Sequence, residues 1–234
     1  MGKGAQGDHQ PATVRPPHRG APVRDAVVAG HRGDLETAWR LLGHPDAGVR
    51  AAALGALDRI GVLDTIALTD ALTDPAGAVR RHACVLAGRG FGALIDSSGD
   101  ENGRGAGGAE LVDALVRVLS TDSCETVVES AAWSLGEAGS HCGRAAVEAL
   151  ERVATEHADP LCRESAVAAL GAIGDPHGLD TVLLALEDKP AVRRRAAIAL
   201  AAFDDPRVDA AWGRCLEDRD WQVRQAAEDL LGRP

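Results

Sequence analysis

Apolar and polar positions along this chain follow one short rule, written six times. Each copy opens on Val or Cys and places small or apolar residues at its first, fifth, eighth, ninth and twelfth positions. The openings are Val49, Val79, Val127, Cys162, Val192 and Val223, at spacings of 30, 48, 35, 30 and 31 residues. At 100° per residue these positions share one side of an α-helix, so each string predicts a helix with a narrow buried stripe. In the fourth copy, CRESAVAALGAIGDP, the stripe is Cys162, Ala166, Ala169, Leu170 and Ile173. Between the strings lie second amphipathic segments: DLETAWRLLGHPD, LDTIALTDALTDP, AELVDALVRVLSTD, GRAAVEALERVATEHADP, GLDTVLLALEDKP and VDAAWGRCLEDRD. Each keeps aliphatic residues at helical spacing and ends in a turn holding Asp, Pro or Gly. The predicted unit is therefore helix, turn, helix, repeated from about residue 34 to 232. Such units bury their faces only against their neighbours, and Ala-rich strings let adjacent helices come close as they stack. The fold class is all-α.

The strings resemble HEAT repeats, particularly the short HEAT-like repeats of the phycobilin lyase type. The resemblance rests on Asp46 with Val49–Arg50, Asp74 with Val79–Arg80, Asp159 with Cys162–Arg163, Val192–Arg193, Asp220 with Val223–Arg224, and ALGAIGD ending at Asp175. Tetratricopeptide and ankyrin patterns do not fit, because the chain has no Tyr and no TPLH. The resemblance implies a right-handed α-solenoid of about six antiparallel helix pairs, with the second helices lining the concave surface. It also implies a ladder in which Arg50, Arg80, Arg163, Arg193 and Arg224 each pair with an Asp of the preceding turn, as Arg50 would with Asp46.

Two stretches break the repeat. The third copy has Val128 where the others have the ladder Arg, and it follows GALIDSSGDENGRGAGGA, residues 92–109. That insert reads as too Gly-rich for a helix, hence as a flexible surface loop, with a partner-binding loop or a hinge as sharper readings. At the other end, residues 21–33 read as a capping helix, and residues 1–20 as a disordered basic tail.

Composition agrees with thin helical layers. Only 3% of residues are aromatic, too few for a bulky single core but sufficient for helices packed through Ala. The total charge of −10 is uneven: residues 1–33 carry five cations against two acids, net +3, which leaves −13 on the rest. An acidic body repels phosphate backbones, so nucleic acid is an unfavourable partner. No apolar run is long enough for a membrane span, and the opening residues lack the apolar segment of a secretion signal. Five cysteines with no CxxC pair suit a reducing compartment, so the expected location is cytoplasmic. Arg outnumbers Lys 23 to 2, a bias of GC-rich coding and an indication of bacterial origin only.

Candidate chemistry follows from the positions opposite the stripe. The third positions of the copies are Ala51, Arg81, Glu129, Glu164, Arg194 and Gln225, and the seventh are Gly55, Val85, Trp133, Ala168, Ile198 and Asp229. On the concave side these would set a line of Val85, Trp133, Ala168 and Ile198 between Arg81, Glu129, Glu164 and Arg194. An exposed indole is the kind of anchor binding surfaces use, although Trp133 would serve equally to pack on the insert or a neighbouring helix. Trp39, Trp212 and Trp221 read as core or end-cap residues.

Enzymatic precedents among HEAT-like proteins need other residues. Di-iron hydroxylases of this type carry repeated His-Glu pairs, and this chain has none. His141–Cys142, His157 and Cys162 lack a zinc spacing, and GRGAGG lacks the Lys of a phosphate loop. Alkylpurine glycosylases of similar build need a cationic, aromatic groove. Bilin lyase subunits set a different precedent, with Arg81 and Arg194 suited to a tetrapyrrole's propionates. The sequence thus predicts no catalytic residue, metal or cofactor. It predicts a scaffold binding another protein or peptide segment, cationic or amphipathic, in its groove, including as the non-catalytic partner of an enzyme subunit. The alternative is a HEAT-like enzyme, or a lyase or chaperone subunit, acting on a small molecule or prosthetic group held there.

Overall fold

A computed structural model describes residues 20–97 and 106–232, so most of the basic tail and the centre of the insert lie outside the described residues. Helix α1 (Ala21–Arg32) precedes six pairs. These are α2 (Leu35–Leu42) with α3 (Ala47–Ile60), α4 (Thr65–Ala71) with α5 (Gly77–Ser97), and α6 (Ala106–Thr121) with α7 (Glu125–Ala138). The remaining pairs are α8 (Gly143–Glu156) with α9 (Pro160–Ile173), α10 (Leu179–Ala185) with α11 (Pro190–Ala199), and α12 (Pro206–Cys215) with α13 (Trp221–Leu231). The described residues contain no strand.

Helix starts are written locally. Asp34, Asp46, Asp64, Asp159, Asp205 and Asp220 each accept a first-turn backbone N–H. Pro160, Pro190 and Pro206 occupy the first helical position, where a missing N–H costs nothing. At the other ends, Gly61 and Gly174 close α3 and α9 with φ of 82° and 66°, a left-handed conformation that favours glycine.

Packing then builds two layers. The odd-numbered helices pack one on the next from α1 to α13, while α4, α6, α8 and α10 stack in the same order beside them. Helix α1 joins the first layer by packing on α3. The stripe is buried as its spacing predicts over Val127, Ala131, Ser134, Leu135 and Ala138 in α7 and over Cys162, Ala166, Ala169 and Leu170 in α9, whereas Ile173, the last residue of α9, is only half-buried. In the last copy the register continues but Leu230 is 41% exposed.

The small residues have a measurable purpose. A Cβ built on Gly171 in α9 would lie 2.8 Å from the Ala199 Cα in α11. One on Gly136 in α7 would lie 3.1 Å from the Ala169 Cα in α9, and one on Gly30 in α1 would lie 2.9 Å from the Ala56 Cα in α3. Thus the tenth position of the third and fourth strings meets the eighth position of the next, and only Gly against Ala permits that distance.

Two expectations are corrected. The insert is not wholly irregular: α5 continues through Ser97 and α6 begins at Ala106, leaving residues 98–105 between them. Gly92, Gly107 and Gly108, the insert glycines within these helices, cost about 1 kcal/mol each in helix propensity, and the adjoining Phe91, Leu111 and Leu115 bury both helices against the core.

The ladder, in turn, runs forward rather than back. Arg50 donates through Nε and Nη2 to Asp74, both at 2.7 Å, and Asp74 belongs to the following turn. Asp46 instead caps α3, accepting from the backbone of Gly48 and Val49. Arg80 meets Asp122, Arg163 meets Asp188 and Arg193 meets Asp218 in the same two-pronged way. Arg80 also donates Nη1 to the carbonyls of Asp74 and Pro75 in its own turn. Each Arg therefore clamps two successive turns, a geometry available only to a planar guanidinium. Its hydrogen bonds hold the carboxyls of Asp74, Asp122, Asp188 and Asp218 below the usual carboxylate range. Arg224 donates to the Asp218 carbonyl of its own turn.

The missing rung is missing on both sides. Val128 is buried where the Arg would stand, and the turn it faces carries His157 where the others carry Asp. His157 accepts the Asp159 backbone N–H through Nδ1, and His44, which has no ladder Arg before it, does the same for Asp46.

Candidate functional site

The third and seventh positions of α3 to α13 form the face opposite the buried stripe, and the later of them, from Trp133 onward, border two recesses. One, of about 280 Å³, lies between α7 and α9 and is lined by Trp133, Glu137, Glu164, Ala168, Ala172 and Arg195. The other, of about 470 Å³, lies between α11 and α13 and is lined by Arg194, Ile198, Trp221, Gln225, Asp229 and Leu230. Trp133 and Glu164 are thus brought together, as are Arg194 and Ile198. Arg81, Val85 and Glu129 lie outside both linings.

Trp133 is wedged as well as presented. A Cβ on Gly88 of α5 would come 2.5 Å from the Trp133 Cζ3, so the indole lies directly on the α5 backbone at a glycine. The residue is nonetheless 39% exposed, and it lines the recess toward α9. Trp133 thus packs on a neighbouring helix and also borders open space. A ring fixed on one side loses little rotamer freedom when its other side is covered.

Charge along the face is uneven. Glu164 sits 3.3 Å from Arg195 and 3.7 Å from Arg194, spending its charge within the protein. Glu129 makes no ion pair among the described residues. Burial, then Asp159, Glu164 and Glu125, push the Glu129 carboxyl up, with Arg81 the one cation acting against them. Toward the N-terminal end, His82 rests against Gly55, and burial followed by Arg89 and Arg81 pushes its pKa down. No group of three or more His, Cys, Asp or Glu among the described residues is placed to hold a metal ion.

The family model for HEAT repeats matches residues 93–171 and 147–232, more than half of the chain. The chain belongs to the HEAT-repeat family. No curated protein matches its sequence. Among solved structures, an engineered protein is similar at 23% identity and a TM-score of 0.61, over 85% of this chain and 97% of its own. The CpcE–CpcF complex of phycocyanin lyase from Nostoc sp. PCC7120 is similar at 21% identity and a TM-score of 0.54, over 97% of this chain and 81% of that one. Computationally designed armadillo repeat proteins for modular peptide recognition are similar at 16% identity and a TM-score of 0.51, over 91% and 98%. At these identities the likeness is one of fold.

Within this HEAT-repeat solenoid, sequence reasoning missed Trp221. It was expected as core or cap, yet it is 63% exposed and lines the C-terminal recess. Its place directly after the cap Asp220 was the available signal, since a first-turn residue two before the buried Val223 points off the stripe. Trp39 is also exposed, on α2, while Trp212 is half-buried and donates its indole N–H to the Ala197 carbonyl. No helix among the described residues is long and apolar enough to cross a membrane.

Proposed function

We propose that this chain is a binding scaffold that holds a segment of another protein along the face formed by its second helices. The observation that carries the reading is the row Val85, Trp133, Ala168 and Ile198. It consists of half-buried or exposed residues on rigid helices, with a seated indole and two adjoining recesses. An apolar row flanked by charge is what a hot spot with a polar rim requires. The Arg–Asp ladder and the Gly–Ala contacts hold the curvature without any partner, so little ordering cost falls on the scaffold. That similar designed armadillo proteins serve modular peptide recognition supports the reading by analogy of fold.

The test is a pull-down from the native cell with the intact chain, beside a Trp133→Ala/Ile198→Asp variant shown to be folded by circular dichroism. Recovery of a stoichiometric protein by the first and its loss from the second is the expected result. Identical recovery by both overturns it, and colour or a bound small molecule in the purified protein turns the same groove toward a lyase or enzyme role.

A further inference from the structure

The recess between α11 and α13 has a more specific chemistry than an apolar row needs. Arg194 and Arg195 enter it from α11, and the one carboxylate in its lining is Asp229 of α13. Asp229 makes no ion pair among the described residues and accepts from Gln225 Nε2 at 2.7 Å instead. The counter-charge of both arginines is Glu164 of α9, which lies outside this lining. It meets them through one oxygen, 3.3 Å from Arg195 and 3.7 Å from Arg194. The ladder arginines show what full pairing is in this chain: Nε and Nη2 each meet a separate carboxylate oxygen at 2.6–2.8 Å. Arg195 falls short of that, and its buried Nε has no hydrogen-bond partner among the described residues. Both guanidiniums therefore keep donors to spare, on side chains 35% and 38% exposed. Beside them the same recess presents three exposed apolar residues, Ile198, Trp221 and Leu230.

We propose that this recess takes a glutamate or aspartate of the bound segment, whose carboxylate accepts from Arg194 and Arg195 while the apolar side chains next to it rest on Ile198, Trp221 and Leu230. The inference rests on the scaffold reading and names the partner's chemistry: an amphipathic segment that is acidic at this point. A planar guanidinium with free donors is matched by the two oxygens of a carboxylate, and such charge-assisted bonds are the strong ones. Charge also fixes where the acid falls. Arg195 borders the recess beside Trp133 as well, but Glu137 and Glu164 border that recess too, so a carboxylate is disfavoured there and drawn to the α11 end. Two cations against one acid in this lining reverse the sign of the chain as a whole, whose net charge is −10.

The test uses the full chain labelled with ¹⁵N and reads its indole N–H resonances, that of Trp221 assigned by its loss in Trp221→Phe. The probes are the peptide Ac-Gly-Leu-Glu-Leu-Gly-amide, its counterpart with glutamine, which keeps the shape and removes the charge, and potassium acetate. The Trp221 signal is expected to move saturably with the glutamate peptide. Half-saturation should need roughly 3–5-fold more of the glutamine peptide, and a similar factor more of the glutamate peptide for Arg194→Gln and for Arg195→Gln, as for one partly screened charge pair. Each single variant leaves Glu164 one arginine, and the comparison of the two peptides needs no variant at all. Equal response to the two peptides, indifference to both substitutions, or movement of Trp133 in place of Trp221 overturns the acid site. So does no response up to the solubility limit of the glutamate peptide, and so does half-saturation by acetate at the same concentration, which would mark a bare anion site. A partner released by Trp133→Ala/Ile198→Asp but retained by Arg194→Gln/Arg195→Gln would overturn the acid site while leaving the scaffold reading in place.

Discussion

In an ordinary helix, replacing Gly by Ala is stabilising by about 0.8–1 kcal/mol, because Ala loses less backbone freedom on folding. Gly171 in α9 should behave in the opposite way. Its added Cβ would lie 2.6 Å from the Ala199 Cβ and 2.8 Å from the Ala199 Cα, and a backbone atom cannot turn aside as a side chain can. Helices α9 and α11 would have to separate by about 0.8 Å merely to reach ordinary contact, loosening the neighbouring Leu170 and Leu200. Overpacking of this kind costs roughly 1–3 kcal/mol, so the net effect of Gly171→Ala is a destabilisation of up to about 2 kcal/mol. Gly213 in α12 is the control: nothing lies within 4 Å of its built Cβ, so Gly213→Ala should gain the propensity and meet no clash. The difference between the two variants isolates the steric part at roughly 1–3 kcal/mol. Urea unfolding followed by far-ultraviolet circular dichroism and by tryptophan fluorescence measures it. Should Gly171→Ala raise the midpoint as much as Gly213→Ala does, the Gly-to-Ala contact between successive second helices is wrong.

Leu170→Ala removes a side chain only 1% exposed between repeats and should cost roughly 2–5 kcal/mol in the same assay, whereas a cost near zero would refute the stripe register. The ladder predicts acid sensitivity of known sign. The carboxyls of Asp74, Asp122, Asp188 and Asp218 are held lower in the folded chain than in the unfolded one, where they titrate near about pH 4. Their stabilisation is therefore whole above that pH and is lost as pH falls through the lowered folded values. Thermal midpoints should decline below about pH 4, and less steeply in Asp188→Asn, whose unchanged slope would show that the rung contributes nothing there. Thiol chemistry should discriminate too. Cys84, Cys142 and Cys162 are buried and pushed up to about 12, and Cys215 to about 11. Alkylation of the native protein at neutral pH, read by mass spectrometry, should label Cys124 first, and rapid modification of Cys162 would contradict its burial.

Repeat number, helix pairing and the buried stripe were legible in the sequence because each depends on residues within one or two helical turns. Val49, Ala53, Ala56 and Leu57 share a face by helix geometry alone, and Asp46 or Asp159 announces a helix start through a hydrogen bond two or three residues long. What the recurrent Arg would touch was not of that kind. Arg163 and Asp188 are 25 residues apart, and the choice between the turn behind and the turn ahead is made by how one repeat is set against the next. The paired absence at Val128 and His157 becomes meaningful only once that forward pairing is known.

The insert was misread for a related reason. Glycine content measures intrinsic propensity, while α5 and α6 are held by their contacts with the rest of the stack. Trp133 makes the same distinction inside the groove. Its side of the helix was a matter of angle, and so could be read from residue spacing. Its seat over Gly88, its neighbour Glu164 across the recess, and the place of Trp221 in the recess between α11 and α13 were decided between repeats. Helical periodicity determines which way a side chain points, and only the stacking of separate segments determines what it meets there.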